Sequence, residues 1–213
     1  MDFQFFLESV SKIKNIPLPA EASQFKMSPP FRKELIETYR ERMVHAKKAG
    51  VLALFYPDLK EKTRLVLILR KTYKGVHSAQ IGFPGGKLEP QDQNLQMTAI
   101  RETYEEVGVK QDMVTVVKEM TQVYIPPSNF YVQPFIGIST QTPNFKKQDE
   151  EVEDIVEVLL EHLLDETSVV TRSVATSYNR EVEVPAFNLN GHVVWGATAM
   201  MLSEIKDLLK HAI

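Results

Sequence analysis

Apolar residues recur along the chain first at helical and then at strand spacing. Phe3, Phe6, Leu7 and Val10 lie three and four apart, which predicts a short amphipathic helix within residues 2–14. The prolines of I16-P-L-P19 and S28-P-P-F31 then impose extended connections, because proline fixes its own backbone and pushes the preceding residue out of the helical region. Residues 31–48, rich in Arg, Lys, Glu and Met, predict a second helix. From Gly50 the texture changes. V51-L-A-L-F-Y56 and R64-L-V-L-I-L-R70 are short apolar runs bounded by turn residues, as expected of buried strands that neighbour each other in one sheet.

Residues 71–86 hold four of the nine glycines and read as a loop punctuated by the strand-like Q80-I-G-F83. Asp92 is placed to cap a helix over 93–107, which Gly108 would end. Further strands are expected over 113–124, 130–139 and 155–160, the last preceded by the charged D149-E-E-V-E-D154, and a final helix over 197–209. Residues 46–213 are expected to form one domain, with 1–45 as a helical extension packed on it.

Composition narrows the function. A chain of 213 residues that is 43% hydrophobic can bury a substantial core. With 25 basic against 28 acidic residues and a net charge of −3, it has no footprint for nucleic acid or a membrane surface, so an anionic partner must be held locally. The absence of cysteine excludes disulfides, thiolate zinc sites and a cysteine nucleophile. The first residues do not read as a signal peptide and K210-H-A-I213 is not a peroxisomal address, so the expected location is the cytoplasm.

The densest chemistry lies in I100-R-E-T-Y-E-E-V-G-V109. On a helix Glu102, Glu105 and Glu106 share one side, and Ile100, Thr103, Tyr104 and Val107 the other. A solvated helix face accounts for most glutamate clusters. Here like charges at these spacings repel by a few tenths of a kcal/mol per pair, of which Arg101 offsets only part. A hard divalent cation such as Mg²⁺ or Mn²⁺ removes the repulsion, and Glu102 and Glu106, one turn apart, can point at the same ion. Just upstream, G82-F-P-G-G-K-L-E-P-Q-D92 supplies two glycines that permit close backbone approach of a phosphate or metal.

These residues resemble the signature of the Nudix hydrolases, G-x5-E-x7-R-E-U-x-E-E-x-G-U with U aliphatic. The match is specific at R101-E-T-Y-E-E-V-G-V109 and departs from the pattern in two ways. Thr103 replaces the aliphatic residue, and the arm from Gly86 through Asp92 to Arg101 is one residue longer, with Asp for Glu. R70-K-T-Y-K-G-V-H-S-A-Q-I-G-F-P-G-G86 is similar to the additional motif of the coenzyme A pyrophosphatase branch, with Thr72 for a Ser and Ala79 for a Gly. S128-N-F-Y-V-Q-P-F-I-G137, E151-V-E-D-I-V-E-V-L-L160 and V194-W-G-A-T-A199 agree with the same branch, as does the short basic lead-in M27-S-P-P-F-R32.

The resemblance implies an α/β fold, an α/β/α sandwich around a mixed sheet with an N-terminal helical extension. It also implies metal-dependent hydrolysis of the pyrophosphate bond of coenzyme A or its derivatives to 3′,5′-ADP and 4′-phosphopantetheine. Glu102, Glu105, Glu106 and the Gly85 carbonyl would hold Mg²⁺ or Mn²⁺. Glu105, Glu106, Arg101 and a distal acid, Glu151 with Glu150 close behind, would complete the catalytic set. Arg101 would orient a helix carboxylate, with Asp92 or Glu89 as its partner. Arg70, Lys71, His77, Gln80 and Gly86 would meet the substrate, together with Lys74. Trp195 is expected in the core, with stacking on adenine as the alternative. The expected partner is thus a small molecule, without nucleic acid or membrane, and a homodimer is compatible with the reading. The alternatives are a Nudix hydrolase for ADP-ribose or a dinucleotide, and a non-hydrolytic Nudix binding module.

Overall fold

A computed structural model describes residues 1–71, 80–175 and 181–213. The N-terminal part contains α1 (Phe3–Ile13), α2 (Ala20–Gln24), α3 (Arg32–Thr38) and α4 (Arg40–Met43). The chain then enters β1 (Lys47–Pro57), β2 (Thr63–Arg70), β3 (Ile81–Gly82) and β4 (Gly85–Lys87), which lead into α5 (Leu95–Val107). Next come β5 (Thr115–Glu119), β6 (Val123–Ile125), β7 (Phe130–Ile138), β8 (Val152–Leu159) and α6 (Leu160–Leu164). An antiparallel set, β9 (Val169–Ala175), β10 (Glu181–Leu189) and β11 (His192–Trp195), is followed by α7 (Gly196–Ala212).

Among the described residues the main sheet is mixed, with the path β3-β2-β1-β7-β5 and with β4, β6 and β8 joined to β1, β7 and β2. β1 runs parallel to β7 and antiparallel to β2 and β4. It is apolar along most of its length because both of its faces are buried. Ala49, Val51, Ala53 and Phe55 point into one core, shared with Phe3, Phe6, Val10 and Ile13 of α1 and with Met201, Leu202, Ile205 and Leu209 of α7. Leu52, Leu54 and Tyr56 point into the other, shared with Ala99 and Val107 of α5. The period-two alternation of one strand therefore separates two helical layers, giving the α/β/α sandwich. β9, β10 and β11 form a second antiparallel sheet, for which the sequence pattern had predicted no strand.

Several elements differ from expectation. The single helix expected over 31–48 breaks at Tyr39, and from Lys47 the chain is strand, because Lys47 and Lys48 are already in parallel register with Phe130 and Tyr131. The strand expected over 113–124 divides into β5 and β6, which pair with successive stretches of β7. Pro134 of β7 has no N–H to donate there, and its carbonyl accepts from the Met120 N–H instead. The cap of α5 is Asn94, whose Oδ1 accepts from the Met97 N–H, and not Asp92. Gly108 does end the helix, at φ 77°.

The feature that creates the site is a split edge. The C-terminal part of β1 pairs with β2 (Phe55 with Leu65), whereas its N-terminal part pairs with β4 (Val51 with Gly85). β2 meanwhile pairs with β3 (Ile68 with Gly82). Residues 82–85 thus cross between two diverging strands, and the glycine pair arrives against the middle and last turns of α5, where Gly86 meets Glu102 and Gly85 meets Glu106.

Candidate active site

α5 lies with one side on the sheet and the next on β4, so its polar face is partly enclosed. Ile100, Thr103 and Val107 are buried, as the periodicity predicts, together with Thr98 and Ala99, and the Thr103 hydroxyl donates to the Ala99 carbonyl at 2.7 Å. Two residues on the helix depart from the expected faces. Tyr104 is exposed, and Glu106 is only 2% exposed, because the side of the helix carrying Glu106 meets β4 rather than solvent.

Glu106 is held from both strands. Its Oε2 accepts the Gly85 N–H at 2.7 Å, and its Oε1 is buried without a hydrogen bond, 3.3 Å from Arg70 Nη1. Arg70 ends β2 at a register shift opposite β8, and its Nη2 donates to the Gly85 carbonyl at 3.0 Å. Burial pushes the Glu106 carboxyl up to about 7, against the opposing pull of Arg70 and the Gly85 N–H. Glu102, half-buried beside it, is also raised by burial, against the pull of Arg101. Gly86 is required by this geometry: a Cβ there would stand 2.3–2.5 Å from the Glu102 carboxylate. Gly85 adopts φ 151° and presses on the β1 backbone, where a side chain would meet Gly50 and Val51.

Arg101 is gripped by Asp92, which accepts from Nε and Nη2, both at 2.9 Å. The remaining donors reach Glu102 Oε1 at 3.0 Å, Glu105 Oε2 at 2.8 Å and the Lys87 carbonyl at 3.2 Å. Asp92 is held down to about 2, first by the hydrogen bonds from Arg101, and Arg101 is raised in turn, chiefly by Asp92. Asp92 also accepts from the Thr98 hydroxyl and the Glu89 N–H.

One cleft of about 570 Å³ brings together Arg70, Gly85, Gly86, Arg101, Glu102, Glu105, Glu106 and Glu151. Gln148, which sequence reasoning missed, sets the distal acid in place. Its N–H donates to the Glu106 carbonyl at 3.0 Å, and its Oε1 accepts the N–H groups of Glu150 and Glu151 at 2.8 and 2.7 Å. Glu151 then lies near enough for its charge to act on Glu102 and Glu106, whereas Glu150 does not line the cleft. Nothing in a lone glutamine signals this role, which arises only from the approach of 148–151 to α5.

Other expected contacts fall elsewhere. Lys71 lines neither this cleft nor its neighbour, and its N–H donates to the Glu151 carbonyl at 2.9 Å. Gln80 lines the neighbouring cavity. His77 and Lys74 lie outside the described residues. Trp195 is not in the core: it is partly exposed and walls that same neighbouring cavity, because β11 ends there as the chain turns into α7. The cavity has a volume of about 390 Å³, opens onto the acidic cleft through Arg70, Gly85, Gly86 and Lys87, and is largely apolar, with Val51, Ile81, Phe83 and Phe130 in its wall.

Among the described residues no group of three or more His, Asp or Glu side chains is drawn together around a single point that could hold a metal. The reason is visible: Arg101 holds Glu102 and Glu105, and Arg70 faces Glu106. The donor set nevertheless suits a hard divalent cation. Its donors are carboxylate oxygens, one of them buried without a hydrogen bond, and the Gly86 cradle seats a second carboxylate beside it.

Comparisons with known proteins agree with this arrangement. Residues 46–175 match the NUDIX domain. The chain is 31% identical over 155 residues to the peroxisomal coenzyme A diphosphatase ndx-8 of Caenorhabditis elegans, covering 72% of this chain and 64% of that one. It is 31% identical over 136 residues to the human mitochondrial coenzyme A diphosphatase NUDT8, covering 63% of this chain and 58% of that one. It is 29% identical over 142 residues to the uncharacterized Nudix hydrolase NudL of Yersinia pestis, covering 66% of this chain and 70% of that one. The matches thus span less than two thirds of the length of the first two relatives. No described helix is long and apolar enough to cross a membrane. With the glycine pair, the R-E-x-x-E-E helix and the domain match on the same elements, this chain belongs to the Nudix family.

Proposed function

We propose that the protein is a pyrophosphohydrolase, a coenzyme A diphosphatase that cleaves coenzyme A or its derivatives to 3′,5′-ADP and 4′-phosphopantetheine. The observation that carries the reading is Glu106 Oε1, buried without a hydrogen bond in the wall of a 570 Å³ acidic cleft that shares Arg70, Gly85, Gly86 and Lys87 with a 390 Å³ apolar cavity. A diphosphate lying across this junction puts its anhydride in the cleft and one organic half in the cavity. The two relatives named as coenzyme A diphosphatases supply the substrate.

Glu102, Glu105 and Glu106, with the Gly85 carbonyl, would hold Mg²⁺ or Mn²⁺. Such a cation neutralises phosphate oxygens and lowers the pKa of an attacking water. The chain's own residues do the rest. Arg101, fixed by Asp92, orients Glu102 and Glu105. Arg70 stands between Glu106 and the cavity and is placed to meet a phosphate bidentately when its carboxylate partner turns to a cation. Glu151, anchored by Gln148, is the proposed base that takes a proton from water. Gly86 leaves room for the Glu102 carboxylate against the backbone, and Gln80 lines the neighbouring cavity. His77 stays a proposed contact, whereas Lys71, which lines neither space, is not one.

The test is a hydrolysis screen over coenzyme A, acyl-coenzyme A, ADP-ribose and dinucleotides, with Mg²⁺, with Mn²⁺ and with chelator, the products being separated chromatographically. Release of 3′,5′-ADP from coenzyme A only with added metal supports the reading, and preferential turnover of ADP-ribose or a dinucleotide overturns the substrate. The proposed location is the cytoplasm, and cell fractionation with antibody detection tests it against the peroxisomal and mitochondrial locations that the names of the two relatives carry.

A further inference from the structure

Two of the buried polar atoms that lack a hydrogen bond, Arg32 Nε and Ser128 Oγ, belong to residues lining the apolar cavity and not the acidic cleft. Arg32 is the first residue of α3, and its Nη2 donates to the Tyr124 carbonyl at 2.8 Å, while Ser128 lies on the turn that carries the chain from β6 to β7. Among the described residues Arg32 has no ion pair. Its guanidinium stays protonated at any ordinary pH, and a partly desolvated cation without a counter-ion is unfavourable. Burial lowers its affinity for the proton, and Glu21 offsets this only from a distance.

An anion in the cavity would satisfy both groups, the guanidinium by charge and the hydroxyl as donor. We infer that Arg32 and Ser128 recognise a phosphate monoester on the ribose of the substrate, the 3′-phosphate of coenzyme A, with the nucleoside half lying in the cavity and the pantetheine arm outside it. The inference rests on the coenzyme A reading above. Of the two halves of that substrate only the nucleoside half carries a further phosphate, and Phe31, Phe130 and Trp195 line the wall that would receive its base. The N-terminal segment would therefore select the substrate as well as stabilise the fold.

Dephospho-coenzyme A lacks only the 3′-phosphate, which makes it the discriminating probe. Arg32→Gln should raise KM for coenzyme A roughly ten- to hundredfold, the loss of a charge-assisted hydrogen bond, with little change in kcat or in KM for dephospho-coenzyme A. Calorimetric titration without metal provides a reading free of turnover. The wild type should bind 3′,5′-ADP more tightly than 5′-AMP, and Arg32→Gln should abolish that preference. Arg32→Lys should retain part of it. If Arg32→Gln proves too unstable to measure, Ser128→Ala should weaken 3′,5′-ADP selectively.

Equal loss for both members of either pair, or no loss, overturns the assignment. A wild type that binds 3′,5′-ADP in preference to 5′-AMP, through Arg32, yet hydrolyses no coenzyme A would uphold the phosphate site and overturn the proposed reaction. Hydrolysis of coenzyme A with no preference between the paired ligands would do the reverse.

Discussion

Glu106 and Gly85 are joined by a 2.7 Å hydrogen bond from the Gly85 N–H to one carboxylate oxygen, which fixes the side chain and leaves its other oxygen facing Arg70 at 3.3 Å. The bond ties the acidic helix to the glycine pair. It also aims a buried carboxylate at the cleft, where its ionised form is opposed by burial and supported by one arginine.

Glu106→Gln should therefore abolish turnover without unfolding the protein. An amide of the same shape can still accept the Gly85 N–H, but it no longer carries the charge that a cation requires. A loss of roughly 10²–10³-fold or more is expected, the scale of removing one preorganised electrostatic group. Rates measured with added Mg²⁺, alongside a thermal melt, check it, and near-normal turnover would remove Glu106 from the metal set.

Gly86→Ala places a methyl group where the Glu102 carboxylate now lies, 2.3–2.5 Å away. The carboxylate is the end of a flexible side chain, so the fold should survive while Glu102 swings aside. Affinity for Mn²⁺ should fall about ten- to hundredfold, as it does when a ligand loses its orientation. Titration followed by electron paramagnetic resonance reads this directly.

Arg101→Lys keeps the charge and loses the planar fork that meets Asp92 through two nitrogens at 2.9 Å. Arg101 is 14% exposed and Asp92 4%, so the lost bonds lie in a partly desolvated place, and the cost should be about 2 kcal/mol. For a chain of this size that lowers Tm by roughly 4–8 °C. Calorimetry checks the stability, and a parallel fall in turnover would reflect release of Glu102 and Glu105.

Asp92 links the same pair to pH. Its carboxyl is depressed from 3.8 to about 2, so its contribution to stability is fully present above pH 4 and is lost as the pH falls towards 2. Denaturant unfolding across that window should show a loss of stability that Asp92→Asn removes. An unchanged profile in that variant would mean that another group governs the acid transition.

Much of this was legible in the chain itself, for a physical reason. Helix and strand patterns depend on residues a few positions apart, so the faces of α1, the apolar run of β1, the αL end of α5 at Gly108 and the one-turn spacing of Glu102 and Glu106 follow from local geometry. The pairing of Arg101 with Asp92 was legible as one of two choices, because only the start of α5 separates them in the chain.

Other features depend on which distant segments meet, and no local pattern carries that information. Glu106 is buried because β4 crosses beside α5, which follows from the divergence of β2 from β1. Gln148 matters because the approach to β8 passes the end of α5, and Lys47 is strand rather than helix because β7 is its partner. Trp195 and Arg32, 163 positions apart, wall one cavity only once β11 and α3 have folded against the same side of the sheet. The sequence by itself determined α1, β1, β2, α7 and the acidic, metal-suited face of α5, but not the sheet of β9, β10 and β11. Tertiary structure alone decided which charges are buried, which arginine answers each of them, and where an organic half of the substrate could lie, since burial and counter-ions are properties of a three-dimensional neighbourhood.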